Sequence, residues 1–279
     1  MRLRSILARD SIADLDSVQA SEADAVLFVL NDASRAVGSL RLAATREMSA
    51  IAAQGKRVLV TVNHPRTQLL RDDLDAIVTP DCAGIILPHC GEPQDVRDAT
   101  VLLREFEHGR DIEPGTLKLF PVIDTARGLL RAAEIAAAAP RVTGLVFDAD
   151  AYADHVGGRA EEHGPRFSYA RGLVVAAARS IDGLPLVAGA HLELRSHAQY
   201  GFAGAILRDT NAVATANAAF TPTESAVERA RAISQVYAAA RAEGLLVGRL
   251  NTEVADAATA RKAVQTLQAA GLEEGHSNS

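Results

Sequence analysis

The sequence predicts an α/β fold, a TIM (β/α)8 barrel with a C-terminal helical extension, from three observations. Eight short runs of β-forming residues recur along the chain. Segments rich in Ala, Leu, Arg and Glu lie between them. The residues that follow the runs are largely acids, arginines and other polar groups, and such barrels collect their chemistry at the C-terminal mouth of the strands. Eight strand–helix alternations in about 250 residues is the arithmetic of the closed barrel. A doubly wound open sheet alternates in the same way with fewer strands.

Taken in order, the strands are expected at Arg4–Ala8, Ala25–Leu30, Arg57–Asn63, Gly84–Pro88, Leu119–Asp124, Gly144–Asp148, Pro185–Ala190 and Gly204–Arg208. Each has the usual length of about 5–6 residues. Helices are expected over Val37–Gln54, Glu92–His108 and Arg166–Ser180, the second entered through Gly91-Glu92-Pro93. After the fifth strand, Gly128 opens a helical segment running from Leu129 to Ala139. Further on, Thr221 is expected as an N-cap with Pro222 at the first helical position and Glu224 closing a capping box, the helix running to about Glu243. Glu253–Ala270 is amphipathic. The domain division that follows is a barrel over 1–243, a helical extension over 244–270 and a disordered polar tail over 271–279.

Bulk properties exclude several classes. The net charge is −6, and no basic run with interleaved aromatics occurs, which argues against nucleic acid as a partner. No apolar stretch approaches the ~20 residues that cross a bilayer. The first ten residues lack the apolar core of a signal peptide. Cys82 and Cys90 make no metal or redox spacing, so a reduced, cytoplasmic setting is expected.

The strand ends bring together Asn31 and Asp32, then Thr61, Asn63 and His64, then His89, then Asp124 and Arg127. Asp148, Asp150 and Asp154 follow, then His191 and Glu193, then Arg208 and Asp209. Carboxylate oxygens at one mouth suit Mg²⁺, which takes one or two carboxylates plus water and substrate oxygens. Taken singly, each acid is better explained as a helix N-cap, and the collection is what points to a metal or anion site. The only lysines are Lys56, Lys118 and Lys262, all placed away from the mouth, so Schiff-base chemistry is not expected. There is no Gly-x-Ser-x-Gly elbow and no phosphate-cradling glycine loop. Metal-assisted polarisation of a carbonyl remains, which suits making or breaking an adjacent carbon–carbon bond.

Several segments in order resemble one family. Ala23-Asp24-Ala25-Val26 through Asn31-Asp32-Ala33, Val60-Thr61-Val62-Asn63, Ile86-Leu87-Pro88 and Asp124-Thr125-Ala126-Arg127-Gly128 are similar to segments of the citrate lyase β-subunit-like (CitE-like) group of the HpcH/HpaI aldolase superfamily. Gly144-Leu145-Val146-Phe147, Tyr169-Ala170-Arg171 and Phe220-Thr221-Pro222 follow the same pattern. The resemblance spans roughly Arg4 to Ala270. It implies a TIM barrel, often trimeric, that binds Mg²⁺ and cleaves or forms a bond in a hydroxyacyl thioester or oxoacid. The metal ligands it implies fall at Asp124, where the family has Glu, and at Ala151, beside which Asp150 can supply the second carboxylate.

The chemical positions depart from the family pattern more than the fold-bearing ones. Thr61 stands for a substrate-binding Arg, Asn31 for an acid, His89 for a Lys and Ala188 for an Asp, and Leu207-Arg208-Asp209 replaces Ile-His-Pro. The reading is a divergent Mg²⁺-dependent carbon–carbon lyase whose substrate is a small molecule, with a coenzyme A thioester as one option. In it Arg127 holds a substrate carboxylate or enolate, Asp124 and Asp150 bind the metal and Asp32 orients its waters. Arg66 or Arg208 supplies the anion-binding guanidinium that Thr61 cannot, and Asn63 is counted among the substrate-binding residues. The altered residues equally suit an opposing reading, a non-catalytic relative that binds a metabolite or a partner protein. A homo-oligomer, a trimer, is expected from the resemblance alone.

Overall fold

A computed structural model describes residues 2–9, 18, 20–30, 37–158, 167–189 and 193–272. Eight strands, β1 (Ser5–Arg9), β2 (Ala25–Val29), β3 (Arg57–Thr61), β4 (Cys82–Leu87), β5 (Lys118–Ile123), β6 (Gly144–Asp148), β7 (Leu184–Ala188) and β8 (Gly204–Leu207), close in chain order into a barrel. Every pairing is parallel, and β8 returns to β1 with Ile206 opposite Ile6. Each expected strand is present with its ends within two residues of the expectation, and β6 matches it in both bounds.

The strands read as continuous apolar runs because both of their faces are covered. Alternate residues point into the barrel, where Ile6, Leu27, Leu59, Ile86, Phe120, Val122, Val146 and Leu186 form one buried cluster. Burying a side chain of this size contributes about 1.5–3 kcal/mol. The same period of two fixes what comes next on each strand. Above Leu59 lies Thr61, above Val122 lies Asp124, above Val146 lies Asp148, above Leu186 lies Ala188 and above Ile206 lies Arg208. At this level the apolar filling gives way to polar side chains on four strands, Thr61, Asp124, Asp148 and Arg208, beside Ala8, Val29, Pro88 and Ala188 on the other four.

The connections are α1 (Val37–Ala53), α2 (Leu69–Ile77), α3 (Pro93–His108), α4 (Ala126–Leu130), α5 (Ala132–Ala136), α6 (Ala149–His155), α7 (Ser168–Arg179), α8 (Leu194–Tyr200) and α9 (Ala212–Phe220). In α3, Val96, Ala99, Leu103 and Glu107 recur at three- and four-residue spacing on the buried face. Pro93 opens that helix as expected, and the Asp95 carboxylate accepts from the Gly91 and Glu92 backbone N–H groups. The segment after β5 starts earlier than the sequence suggests. Thr125 is the cap, its Oγ1 accepting from Gly128 N at 3.0 Å, and Gly128 lies inside the first turn. A Cβ on Gly128 would sit 2.4 Å from the Cys90 carbonyl oxygen, so the close approach of the β4 and β5 ends requires glycine there.

At the opposite end of the barrel, Arg141 and Glu107 form a buried pair. Arg141 Nη2 donates to Glu107 Oε2 at 2.8 Å and Nη1 to Oε1 at 3.2 Å. Glu107 also accepts from Gly115 N and Leu117 N, each at 3.0 Å, so it fastens the loop that leads into β5. Lys56 and Lys118 lie at this end too, donating to the Ser21 and Gly115 carbonyls.

The chain divides into two compact units, Leu3–Ala219 and the residues from Phe220 onward with the N-terminal pair. The division falls at Phe220 where the sequence places it at 243. Helix α10 (Glu224–Ala242), expected as part of the barrel, instead packs on α11 (Ala257–Ala269): Ala230 and Ile233 of the one meet Ala263 and Leu267 of the other. The N-cap of α10 is Thr223, whose Oγ1 accepts from Ala226 N, with Thr221 and Pro222 preceding it. The amphipathic segment is divided by Asp256, the N-cap of α11. Before it, Glu253–Ala255 (β10) pairs antiparallel with Gly248–Leu250 (β9). The expected tail beyond Leu272 lies outside the described residues. Among the described residues no helix is long and apolar enough to cross a membrane.

Candidate active site at the barrel mouth

The polar level at the C-terminal end of the strands encloses a cavity of about 380 Å³. Its floor is apolar, with Leu27, Ile86, Val122 and Val146 among the lining residues. Its rim is formed by His89, Asp124, Asp148, Asp150, Asp154 and Arg208.

Asp124 is the most enclosed of these acids, its side chain 4 % exposed. One oxygen, Oδ2, is held by His89 twice: the backbone N–H donates at 3.2 Å, and Nδ1 lies at 2.6 Å. An ionised carboxylate only accepts, so Nδ1 carries the hydrogen. The other oxygen, Oδ1, is buried without a hydrogen-bond partner among the described residues. His89 reaches this position from a left-handed backbone, φ 55°, an uncommon conformation for a residue with a Cβ. Its hydrogen bond to Asp124 raises the imidazole pKa; burial opposes this, and the negative charges of Asp124 and Asp148 add to it.

Asp148 ends β6 and caps α6, with Oδ1 accepting from Ala151 N at 3.1 Å. Burial raises its pKa above the ordinary carboxylate range, against the pull of the Ala151 N–H, and the charges of Asp150 and Asp124 raise it further. Asp124, Asp148, Asp150 and Asp154 therefore share one mouth, a concentration of negative charge that favours a cation.

Among the described residues, no group of three or more His, Cys, Asp or Glu side chains is arranged to hold a metal ion by itself. An ion here would draw much of its coordination from water and substrate, as Mg²⁺ does. The donor set fits such an ion: the buried, unpartnered Oδ1 of Asp124 is a hard oxygen ligand, and Asp150 lines the same cavity.

The other expected site residues are dispersed. Arg208 lines the cavity, and no carboxylate among the described residues pairs with it. Arg127 does not line it. Its side chain is 62 % exposed, and Nη2 donates to Glu92 Oε2 at 2.6 Å. Arg66 also donates to Glu92 and lies 3.1 Å from Asp95, and Arg131 reaches Glu92 Oε2 at 3.3 Å. Glu92 thus gathers three guanidiniums on the outer rim. Asn63 is locked elsewhere as well, its backbone N–H and Nδ2 both donating to buried Asp73 Oδ2, at 2.7 and 2.8 Å. It shares the inward parity of Leu59 and Thr61, but β3 has ended at Thr61, so the alternation no longer governs it. Arg127, Arg66 and Asn63 thus bond at the barrel rim and wall, and none of the three lines the cavity. Asp32 and His191 lie outside the described residues.

Sequence reasoning missed the joining of His89 to Asp124. The only signal lay in the barrel register: Leu87 stands opposite Pro121, which puts His89 level with Ile123, next to Asp124. Cys90 adjoins this site, but its fully buried thiol has a pKa pushed well above the usual range, chiefly by burial, and is inert as a nucleophile.

Comparison with known proteins shows the family and the fold. Residues 7–216 match the family described as HpcH/HpaI aldolase/citrate lyase. The chain is 28% identical over 261 residues to citrate lyase subunit beta of Escherichia coli (strain K12), covering 90% of this chain and 86% of that one. It is 29% identical over 229 residues to a (3S)-malyl-CoA thioesterase of Cereibacter sphaeroides, covering 77% and 75% of the two chains. Among solved structures, CitE from Mycobacterium tuberculosis, in complex with magnesium, acetoacetate and coenzyme A, superposes with a TM-score of 0.66. That match has 22% identity and covers 96% of this chain and 97% of that one.

Proposed function

This chain belongs to the HpcH/HpaI aldolase/citrate lyase family, and from that premise we propose that it is a divergent Mg²⁺-dependent carbon–carbon lyase acting on a hydroxyacyl thioester or oxoacid. The observation that carries the proposal is the cavity at the barrel mouth, where Asp124 and Asp150 stand with Arg208 above an apolar floor. Relatives named as citrate lyase subunit beta and as a malyl-CoA thioesterase support the substrate class.

Asp124, through Oδ1, and Asp150 would hold the cation. When bound, Mg²⁺ supplies positive charge that polarises a carbonyl and stabilises negative charge developing on its oxygen. Arg208 supplies the guanidinium that grips a carboxylate or thioester oxygen, a charge-assisted contact with a fixed donor fork. Leu27, Ile86, Val122 and Val146 exclude water from below, which strengthens each of these interactions. Glu92 draws Arg127 and Arg66 away from the reacting centre, so Arg208 rather than either of them binds the anion that Thr61 is too short and uncharged to hold.

Malyl-, citramalyl- and citryl-thioesters incubated with and without Mg²⁺ test the reaction. Metal-dependent release of the smaller acyl thioester is the expected result. A second reading, a non-catalytic binder of an anionic metabolite, is favoured by one observation, the diversion of Arg127 and Asn63 into structural bonds. Binding of these compounds without turnover on any of them would support that reading and reject the lyase.

A further inference from the structure

Family likeness does not explain why His89 meets Asp124 as it does. The side chain is held by two features at once, a backbone φ of 55° and a ring nitrogen 2.6 Å from Asp124 Oδ2. The His89 backbone N–H donates to the same oxygen. Both donors therefore lie on one side of the carboxylate, and the opposite oxygen, Oδ1, faces buried space with no partner among the described residues. A carboxylate on a single χ2 bond turns freely unless something fixes its plane. Asp124 is short, and among the described residues only His89 donates to its side chain.

We infer that His89 is a positioning residue for the cation: by occupying Oδ2 of Asp124 it fixes the carboxylate plane and leaves Oδ1 as the ligand oxygen. The inference rests on the metal reading above and adds to it the residue that sets the ligand's orientation. Carboxylates that ligate metals are themselves commonly hydrogen-bonded, and loss of such an outer partner costs about 10–100-fold in metal affinity. A neutral imidazole serves, since the tautomer with hydrogen on Nδ1 donates without carrying charge. Asparagine is the informative replacement. Its Nδ2 is bonded to Cγ, as Nδ1 is in histidine, and Asn tolerates positive φ better than most residues.

The experiment is calorimetric titration of Mg²⁺ into the whole protein, as wild type, His89→Ala and His89→Asn, with circular dichroism melting of each metal-free form. The expected result is a dissociation constant about 10–100-fold weaker for His89→Ala and recovery of wild-type affinity in His89→Asn, with all three folded. A merely structural role would lower the melting temperature and leave the affinity of the folded fraction unchanged. Equal or tighter binding by His89→Ala overturns the inference and leaves the metal reading intact. So does an Asn variant as weak as the Ala variant. A wild-type protein that binds no Mg²⁺ overturns both.

Discussion

Glu107→Ala is the sharpest test of how this barrel holds its fifth strand. Glu107 accepts two buried hydrogen bonds from Arg141, a buried one from Leu117 N and a half-buried one from Gly115 N. Arg141 Nη1 also donates to the Leu117 carbonyl at 3.0 Å, so the guanidinium stays anchored when the acid is removed. Stranding one charge of a buried pair costs roughly 3–5 kcal/mol. Each buried N–H left unsatisfied adds about 1–3 kcal/mol. The expected loss is therefore at least about 4 kcal/mol, a large share of the roughly 5–15 kcal/mol that holds a typical domain folded. Urea unfolding followed by circular dichroism measures it, with the m-value checked for constancy.

The pH dependence gives the same experiment a second arm. The Glu107 pKa is lowered: burial works to raise it, and the combined bonds from Arg141, Gly115 and Leu117 outweigh that. A depressed carboxylate contributes stability that is present above its unfolded pKa, about 4.3, and is lost as pH falls through the folded value. Wild type should lose stability in that acid window and Glu107→Ala should lose less. A loss under about 1 kcal/mol at neutral pH would refute the reasoning, since it would mean the ion pair nets nothing against its desolvation.

Other consequences follow from the mouth. Arg208→Ala removes a charge-assisted contact worth about 1.5–3 kcal/mol and should lower kcat/KM, or the affinity for an anionic ligand, by about 10–100-fold. Arg127→Ala breaks only a largely exposed pair with Glu92, worth about 0–1 kcal/mol, and should change neither by more than a few-fold; comparable losses in the two variants would reverse their assigned places. Asp148→Asn keeps an acceptor for Ala151 N while removing a carboxylate whose pKa burial has raised. A raised acid favours the fold below its unfolded pKa and loses that advantage as pH rises through the folded value. The variant should therefore melt higher than metal-free wild type at neutral pH and show no such gain in acid. Gly128→Ala forces a methyl against the Cys90 carbonyl and should cost about 1–3 kcal/mol by urea unfolding, and a neutral result would show that the β4–β5 mouth yields freely.

The barrel was legible because it rests on local and periodic signals. Apolar runs of five or six residues announce strands such as Leu119–Ile123, and the same alternation that buries Phe120 and Val122 lifts Asp124 into the mouth. Asp148, Asp150 and Arg208 come into one cavity by position along their own strands and turns, which the chain order fixes. Capping was legible only to within two residues, since Thr221 and Thr223 are equal candidates until the backbone decides which is extended.

Pairings between neighbouring strand ends were a different matter. That Glu92 takes Arg127, that Asp73 takes Asn63 and that His89 takes Asp124 depends on barrel register and on where each strand stops. Sequence alone established the eightfold alternation and the residues that reach its polar end, because these follow from the period of the backbone. Tertiary structure alone decided which charges neutralise each other and which stay available to a ligand, because a side chain chooses its partner by distance across the barrel, and that distance is not encoded in any one segment.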